Sequence, residues 1–340
     1  MALGTIDTNQ IASEAVTVPK VTDQVLSSRN LIINGAMTVN QRGNQTNTSG
    51  SSVYFVDRWN LFENTGALAA NLQQSTVVPS GQGFGNSLLI DCTTADSSVA
   101  ASHVSVLRQV IEGQNLQRLA YGTSSAKSLT ISFWVRSTKT GTYTLEIYHN
   151  ATQPRNQNHP YTISQADTWE YKTITFSGDT SATLDNDNQA TFYVQWALSA
   201  GSDYTSGTQQ TTWANFTDAT RFAGQVNFFD STSNNFYLTG VQMEVGDTAT
   251  PFESEDIGTT LRKCKRYYEL LEGNVYPTDY TTASLGNYYW TEEKRAVPTV
   301  TADTNTGGLG FNGVYKSGGY VYKSPANHNS VINIRGNSEL

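Results

Sequence analysis

Between residues 31 and about 255 the chain is a succession of short segments in which apolar and polar residues alternate, with clusters of Gly, Asn and Asp between them. Residues 129–135 show the alternation most clearly, since they read Leu-Thr-Ile-Ser-Phe-Trp-Val. Successive side chains of a strand point to opposite faces, so a period of two is the pattern of a half-buried strand. Many short strands at this spacing predict a two-sheet antiparallel β-sandwich of jelly-roll type. Four further strands are predicted at residues 143–148, 171–176, 190–197 and 235–244.

The composition of the 340 residues also favours a mainly β fold. Aromatic residues make up 11% of the chain, and Tyr, Phe, Trp and Thr prefer the pleated surface of a sheet. Charged residues reach only 15%, against about 25% in an ordinary soluble domain. Disordered chains are poor in aromatic residues, so we expect this chain to fold. Its length suits about two domains.

The net charge of −8 argues against nucleic-acid binding, because contact with phosphates needs a basic surface. The densest basic cluster, residues 262–266, is interpreted as one solvated face of a helix. Cys92 and Cys264 are too few for a disulfide framework, and free thiols suit a reducing cytoplasm. No apolar stretch reaches the roughly 18 residues that span a bilayer, and the N-terminus lacks a signal-peptide pattern. We therefore expect synthesis in the cytoplasm and no membrane insertion.

Residues 1–30 contain no aromatic residue and carry a weak ten-residue repeat. Residues 11–16 and 21–26 both have apolar side chains at the first, fifth and sixth positions. A segment this short cannot bury such a stripe alone, so it must pack on copies of itself or on another protein. Pro19 argues against one unbroken helix. We predict an anchoring or oligomerising segment, with a frayed terminus as the alternative. The residues assigned to this role are Ile11, Val16, Val21, Val25 and Leu26.

Residues 256–340 are interpreted as a second, smaller β-rich domain that contains one helix. Apolar residues at helical spacing predict the helix over residues 257–271, and Gly273 is a suitable stop signal. The predicted organisation is thus an N-terminal segment (1–30), a jelly-roll β-sandwich (31–255) and the small C-terminal domain (256–340). Strand-like segments of that last domain lie at residues 276–290, 297–301, 313–322 and 330–335.

Short motifs occur in a fixed order along the chain. They are Asn-Leu-Ile-Ile-Asn-Gly at 30–35, Gln-Arg-Gly at 41–43, Tyr-Phe-Val-Asp-Arg-Trp at 54–59, Val-Gln-Met-Glu-Val-Gly at 241–246, Ala-Thr-Pro-Phe-Glu at 249–253, Cys-Lys-Arg-Tyr-Tyr-Glu at 264–269 and Arg-Ala-Val-Pro-Thr-Val at 295–300. Together they resemble motifs of tail-fibre and other fibre-like structural proteins of tailed phages, including marine ones. In that family they frame a domain like a carbohydrate-binding module. The resemblance spans roughly residues 5–340.

The resemblance implies a fibre-type structural component of a phage virion. Such a protein is a homotrimer, attaches to other virion proteins by its N-terminus, contacts host surface polysaccharide and leaves the host cell with the particle. Modules of this type often hold a structural Ca²⁺, for which Asp57 or Glu244 would be loop carboxylates, although no calcium signature is present. No other cofactor is expected. The rival functions are a capsid-decorating fibre with no role in host binding and a glycan-cleaving tailspike.

The Asp57-Arg58-Trp59 motif is interpreted as a core latch, with Trp59 buried and Arg58 paired to a carboxylate. The alternative is a Trp59 that stacks on a sugar. Cys264 is interpreted as a small packing residue. Tyr267 and Tyr268 are expected to pack between the two domains.

No pattern of a hydrolase, metalloprotease or nucleotide-binding loop occurs in the sequence. The four histidines, His103, His149, His159 and His328, lie in unrelated contexts. A glycan-cleaving enzyme needs two carboxylates across a groove, and tailspike depolymerases usually show long β-helical repeats that are not seen here. We therefore expect a non-enzyme. Candidate carboxylates for the rival function are Asp185, Asp187, Asp203 and Asp218, whose plainer interpretation is that they shape turns.

Residues 150–235 are rich in aromatic rings and side-chain amides, which are the groups that bind sugars. Rings stack on the apolar faces of sugars, and amides and carboxylates take the hydroxyls. The alternative is that these residues are ordinary loop and core members. The predicted carbohydrate-binding residues are Asn156, His159, Trp169, Tyr204 and Trp213.

Overall fold

The computed structural model describes residues 28–49, 52–64, 68–275, 284–305, 310–323 and 331–340. Most of the predicted anchoring segment, including Ile11, Val16, Val21, Val25 and Leu26, lies outside the described residues. From Ser28 onward the chain already belongs to the sandwich, because the main-chain nitrogens of Ser28 and Asn30 donate to the carboxylate of Glu253 at 2.6 and 2.8 Å.

Two antiparallel sheets form the predicted β-sandwich, which confirms the mainly β fold class. The six-stranded sheet has the order β1-β4-β5-β13-β7-β10, and the seven-stranded sheet has the order β12-β9-β8-β11-β6-β3-β2. All four strands predicted after residue 135 are present. The strands are β1 Gln45–Thr48, β2 Val53–Tyr54, β3 Asn60–Glu63, β4 Ala69–Ser75, β5 Ser87–Thr94, β6 Val104–Glu112, β7 Leu129–Ser137, β8 Gly141–His149, β9 Arg155–Ile163, β10 Glu170–Phe176, β11 Ala190–Ala200, β12 Ala214–Asn215 and β13 Asn235–Val245.

The core lies between the two sheets and is dense in aromatic rings. Strand β7 turns Phe133 inward, as its alternating sequence predicts, and strand β11 turns Trp196 toward it. The ring of Trp196 lies 5.6 Å from that of Phe133 and 5.5 Å from that of Trp59. None of these three side chains has exposed surface. Burial of each contributes about 1.5–3 kcal/mol or more, so they dominate the stability of the sandwich.

The connection between β11 and β13 covers part of the outer face of the seven-stranded sheet. It contains helix α1 (Ser202–Thr205), strand β12 and 3-10 turns at Asp218–Thr220 and Phe228–Asp230. A small apolar cluster of Val104, Val106, Ala197 and Phe222 holds the connection against the sheet. Two more 3-10 turns, Gly113–Asn115 and Gln117–Leu119, follow β6.

Helix α2 spans Ile257–Lys265, so the prediction that it continues to residue 271 is wrong. Its N-terminus is capped by the carboxylate of Asp256, which accepts hydrogen bonds from the main-chain nitrogens of Gly258 and Thr259. The segment after residue 265 leaves the helix because strand β14 (Tyr268–Val275) begins there and pairs with strand β19 (Val331–Asn337). Pairing with a distant strand here overrides the helical spacing of the apolar residues.

Two three-stranded sheets follow helix α2 and give the predicted β-rich C-terminal region. Their orders are β14-β19-β16 and β15-β18-β17. They share a small core built from Tyr288, Trp290, Val321 and Ile334. The strands are β14 Tyr268–Val275, β15 Ser284–Tyr289, β16 Thr299–Asn305, β17 Gly310–Tyr315, β18 Gly318–Lys323 and β19 Val331–Asn337.

The Asp57-Arg58-Trp59 motif forms the predicted latch. Trp59 has no exposed surface, so the alternative of a sugar-stacking Trp59 is wrong. Arg58 is also buried, pairs with the carboxylate of Glu339 and donates to the Val110 carbonyl at 2.5 Å. The prediction of a carboxylate partner for Arg58 is therefore confirmed, and that partner comes from beyond β19.

A second arginine completes what we call the buried charge cluster, namely Arg42, Asp57, Arg58 and Glu339. Arg42 lies 3.6 Å from Asp57 and 3.1 Å from Glu339. The two arginines of the cluster each stack on a tyrosine, with Arg58 3.5 Å above the ring of Tyr267 and Arg42 3.7 Å above that of Tyr268. The two tyrosines therefore pack between the sandwich and the C-terminal region, as predicted. Cys264 is a buried free thiol, as expected for a packing residue.

Candidate functional site

A groove lies on the outer face of the seven-stranded sheet, where four neighbouring strands turn aromatic and polar side chains away from the core. The alternation that buries Leu145 and Ile147 of β8 directs Glu146 and Tyr148 to this face. Strand β11 contributes Tyr193 in the same way, opposite Tyr148 in the register. The full lining consists of Phe62, Val104, Val106, Arg108, Tyr148, Tyr193, Gln195, Phe216 and Arg221.

One wall of the groove comes from the connection after β11 and is held by a buried carboxylate. Glu146 has no exposed surface, and its carboxylate accepts hydrogen bonds of 2.8–3.2 Å from the Nε and Nη2 atoms of Arg221. Asn156 and Gln195 donate to the same carboxylate at 2.9 and 3.0 Å. Burial lowers the pKa of Arg221, but the nearby charge of Glu146 outweighs this effect and the net shift is upward. Arg221 is thus a fixed cation that ties the loop carrying Phe216 to the sheet.

The opposite side of the groove is formed by Arg108 and Phe62. The Arg108 guanidinium lies 4.3 Å above the ring of Phe62 and 5.4 Å from the ring centre of Tyr193. Its Nε atom donates to the side-chain oxygen of Asn60 at 3.0 Å. Stacking and the Nε bond orient the planar group, and the terminal nitrogens are left to contact a ligand.

The groove encloses about 210 Å³. This is smaller than the roughly 300–1,000 Å³ of pockets that hold drug-sized ligands, so it suits a short or single-ring ligand. Tyr148 fixes its shape, because its ring packs edge-on against Phe216 at 4.9 Å and against Tyr193 at 5.5 Å. Rigid rings beside amide and guanidinium donors form a surface that can stack on a sugar and bind its hydroxyls.

The predicted carbohydrate-binding residues do not all lie at this groove. Asn156 binds Glu146 and Tyr204 lies 5.6 Å from the Arg221 guanidinium, so these two support its wall. Trp213 packs at the edge of the core and donates to the Ser177 carbonyl at 2.6 Å.

The remaining two predicted residues also lie away from the groove. His159 packs 4.9 Å from the ring of Phe176. Trp169 lies 6.1 Å from the ring of Tyr237, a residue of the six-stranded sheet. A direct role in sugar binding for these two residues and for Trp213 stays a prediction.

Sequence reasoning missed Tyr148, Tyr193 and Arg108. Their signal is an aromatic or cationic residue at the outward position of an alternating strand, where a small polar residue is usual. Tyr148 follows this pattern directly, since it comes after Leu145, Glu146 and Ile147.

The four candidate carboxylates of the glycanase hypothesis lie in two of the connections between strands. Asp203 lies in α1, and Asp218 lies 3.8 Å from Arg221 in the connection above the sheet. Asp185 and Asp187 lie in the connection between β10 and β11, where Asp187 accepts from the main chain of Gln189. The absence of enzymatic activity stays a prediction.

The candidate calcium ligands already bind protein donors. Asp57 accepts from the main-chain nitrogen of Gln41 at 3.0 Å, and Glu244 accepts from the main-chain nitrogen and hydroxyl of Thr250 at 2.8 and 2.7 Å. Within the described ranges, no group of three or more His, Cys, Asp and Glu residues has the arrangement of a metal site. A structural calcium ion stays a prediction.

A larger cavity of about 510 Å³ lies between the start of the sandwich and α2. Its cations already have partners: Arg118 binds main-chain carbonyls at 2.9 Å, Lys263 pairs with Glu255, and Arg266 pairs with Glu112 at 2.9 Å. We therefore regard the smaller groove, with its oriented Arg108, as the better candidate site. In the parts of the chain that the structure describes, no helix has the length and hydrophobicity needed to span a membrane.

Comparison with known proteins finds solved structures only. No protein-family model and no curated protein matches the chain. Among the solved structures, the enzymatically active domain of tailspike protein 4 from Bacteriophage CBA120 matches with 10% identity and a TM-score of 0.31, over 64% of this chain and 21% of that one. The chain thus spans about a fifth of the tailspike domain.

Two bacterial modules match over almost their whole length. A family 11 carbohydrate-binding module of a cellulosomal cellulase from Clostridium thermocellum has 15% identity and a TM-score of 0.29, over 61% of this chain and 97% of the module. A family 22 carbohydrate-binding module from the same organism has 13% identity and a TM-score of 0.31, over 61% and 99%. At such scores the likeness carries no argument about function, and the β-sandwich assignment depends on the strands and their pairing.

Proposed function

We propose that this protein is a non-enzymatic, fibre-type component of a phage virion that binds host surface glycans in the groove of the seven-stranded sheet. The observation that supports glycan binding is the set of rigid outward rings, Tyr148, Tyr193 and Phe62, beside oriented polar donors. The virion role, the homotrimeric state and the attachment through residues 1–30 depend on the motif resemblance.

Glycan binding is tested with the purified full-length chain on a panel of neutral and acidic bacterial polysaccharides, by affinity electrophoresis and calorimetry. Tyr148→Ala and Tyr193→Ala each remove one ring of the groove, and we expect each to weaken binding about tenfold or more, which equals about 1.4 kcal/mol. The matched control is Tyr171→Ala, an exposed tyrosine on the other sheet, which should leave binding unchanged. Equal affinity in all variants would exclude the groove as the site.

Release of reducing sugar from a bound polysaccharide separates binding from cleavage. We expect no release, and measurable turnover would favour the tailspike glycanase. Immunogold electron microscopy of particles from the virus that encodes the chain tests the virion role. Labelling of the tail supports a host-attachment fibre, labelling of the capsid without cell binding favours the decorating fibre, and unlabelled particles refute the virion assignment.

A further inference from the structure

The two arginines of the groove are in different electrostatic states. Arg221 is neutralised by the buried carboxylate of Glu146. Arg108 has no carboxylate within ion-pair distance among the described residues, and its Nε partner is the neutral amide of Asn60. Burial lowers the pKa of Arg108, the phenols of Tyr54 and Tyr193 raise it, and the charge of Arg221 lowers it further. Arg108 therefore holds a positive charge that the described protein residues do not balance.

Burial of a cation without a counter-ion costs free energy of folding. The protein has 29 Asp and Glu residues against 21 Lys and Arg residues, so a carboxylate partner for Arg108 is not excluded by composition. The thirteen ion pairs of the described residues place six other arginines beside acids, namely Arg42, Arg58, Arg136, Arg155, Arg221 and Arg266. Arg29, Arg118 and Arg295 have no such pair, but their terminal nitrogens donate to hydroxyl or carbonyl oxygens. Arg108 instead lies between aromatic rings, with both terminal nitrogens free of hydrogen-bond partners in the described residues. This arrangement leaves a planar pair of donors for an anion from outside.

We propose that the groove binds an acidic sugar, such as a uronic acid or a sialic acid, whose carboxylate pairs with Arg108 while its ring stacks on Tyr148 or Tyr193. This inference rests on the proposed glycan-binding function of the same groove. The guanidinium of an arginine donates two parallel N–H···O bonds to the two oxygens of a carboxylate. A neutral sugar has no carboxylate to accept them. The overall negative charge of the protein opposes this binding little, because salt screens charges beyond about 8 Å at physiological ionic strength.

The test compares acidic oligosaccharides with the same molecules after reduction of their carboxyl groups to alcohols. The probes are oligomers of alginate, oligomers of polygalacturonate and sialyllactose, each with its carboxyl-reduced form. We expect the wild-type protein to bind at least one acidic probe at least tenfold more tightly than its neutral counterpart. Affinity for that probe should also fall with added salt.

Two substitutions locate the effect. Arg108→Gln should abolish the preference for the acidic form, so that the acidic and the reduced probe bind with equal affinity, whereas Arg108→Lys should keep part of the preference. The matched control is Arg136→Gln on the other sheet, where the arginine pairs with Asp167, and it should keep the preference in full. The pairs of probes test the inference on the wild-type protein even if an Arg108 variant does not fold.

Equal binding of acidic and reduced forms, or a preference that survives in Arg108→Gln, would overturn this inference and leave the proposed glycan function intact. Binding of neutral glycans alone would do the same. Failure to bind any glycan of either panel would overturn both.

Discussion

Replacement of Glu339 by Gln removes one of the two carboxylates from the buried charge cluster and keeps the shape of the side chain. In the wild-type protein the cluster is balanced, because Arg42 and Arg58 face Asp57 and Glu339. The Glu339 side chain is only 4% exposed and that of Arg58 only 1%, so water cannot solvate the charge of Arg58 once the carboxylate is gone. The variant therefore carries one uncompensated positive charge between the sandwich and the C-terminal region.

The loss in the free energy of unfolding that Glu339→Gln causes can be worked out from these contacts. Two unit charges about 4 Å apart attract each other by about 4 kcal/mol at an effective dielectric constant near 20, and Glu339 has two such partners. Removal of one member of a buried ion pair costs about 3–5 kcal/mol, because the remaining charge stays buried. Gln still accepts a hydrogen bond, so we expect a loss near the lower limit, about 3 kcal/mol.

Urea unfolding of the full-length chain, followed by tryptophan fluorescence, measures this loss as a lower midpoint with an unchanged slope. The matched control is Glu293→Gln, at an exposed position, which should shift stability by less than about 0.5 kcal/mol. A loss below about 1 kcal/mol for Glu339→Gln, within the range of surface ion pairs, would refute the reasoning that the cluster joins the two regions.

Three further outcomes are expected. Burial raises the pKa of Asp57 to about 6 even though Arg42 and the hydrogen bonds of Gln41 lower it, so the ionised carboxylate costs free energy in the fold in spite of its pairing with Arg42. The stability that this group contributes is complete below about pH 4 and is lost as the pH rises through about 6. Asp57→Asn should therefore flatten the pH dependence of urea unfolding by about 2–3 kcal/mol relative to wild type. Gly35→Ala should destabilise by about 1–3 kcal/mol in thermal unfolding, because the new Cβ would lie 2.1 Å from the Val241 carbonyl oxygen, whereas Gly85→Ala, which meets open space, should be neutral. Deletion of residues 1–27 should leave the unfolding midpoint unchanged and abolish incorporation into particles; normal incorporation, measured by mass spectrometry of purified virions, would contradict the anchoring role.

The sequence predicts the sandwich well because alternation reports burial directly. Residues 129–135 occur in β7 with the expected side chains inward, and this pattern depends on the strand alone. The C-terminal end of the helix could not be predicted in the same way. Tyr268 to Leu271 form a strand because β19, more than 60 residues later, pairs with them.

The candidate site was less predictable, because its parts come from four strands and a loop. The aromatic and amide residues of 150–235 predict a site that includes Trp169 and Trp213. The groove is instead built by Tyr148, Tyr193 and Arg108 on regular strands. The strand order that makes them neighbours, β8-β11-β6, joins segments that are far apart in the chain.

The central position of β19 in its sheet constrains how the chain matures on the ribosome. Strands β14 and β16 contact each other through β19 and do not pair directly, so neither has a complete set of backbone partners until residues 331–337 have been translated. The same late segment precedes Glu339, which neutralises an arginine of the sandwich. We therefore expect that nascent chains stalled before residue 331 hold a folded sandwich beside a protease-sensitive C-terminal region, and that resistance to proteolysis is gained in one late step.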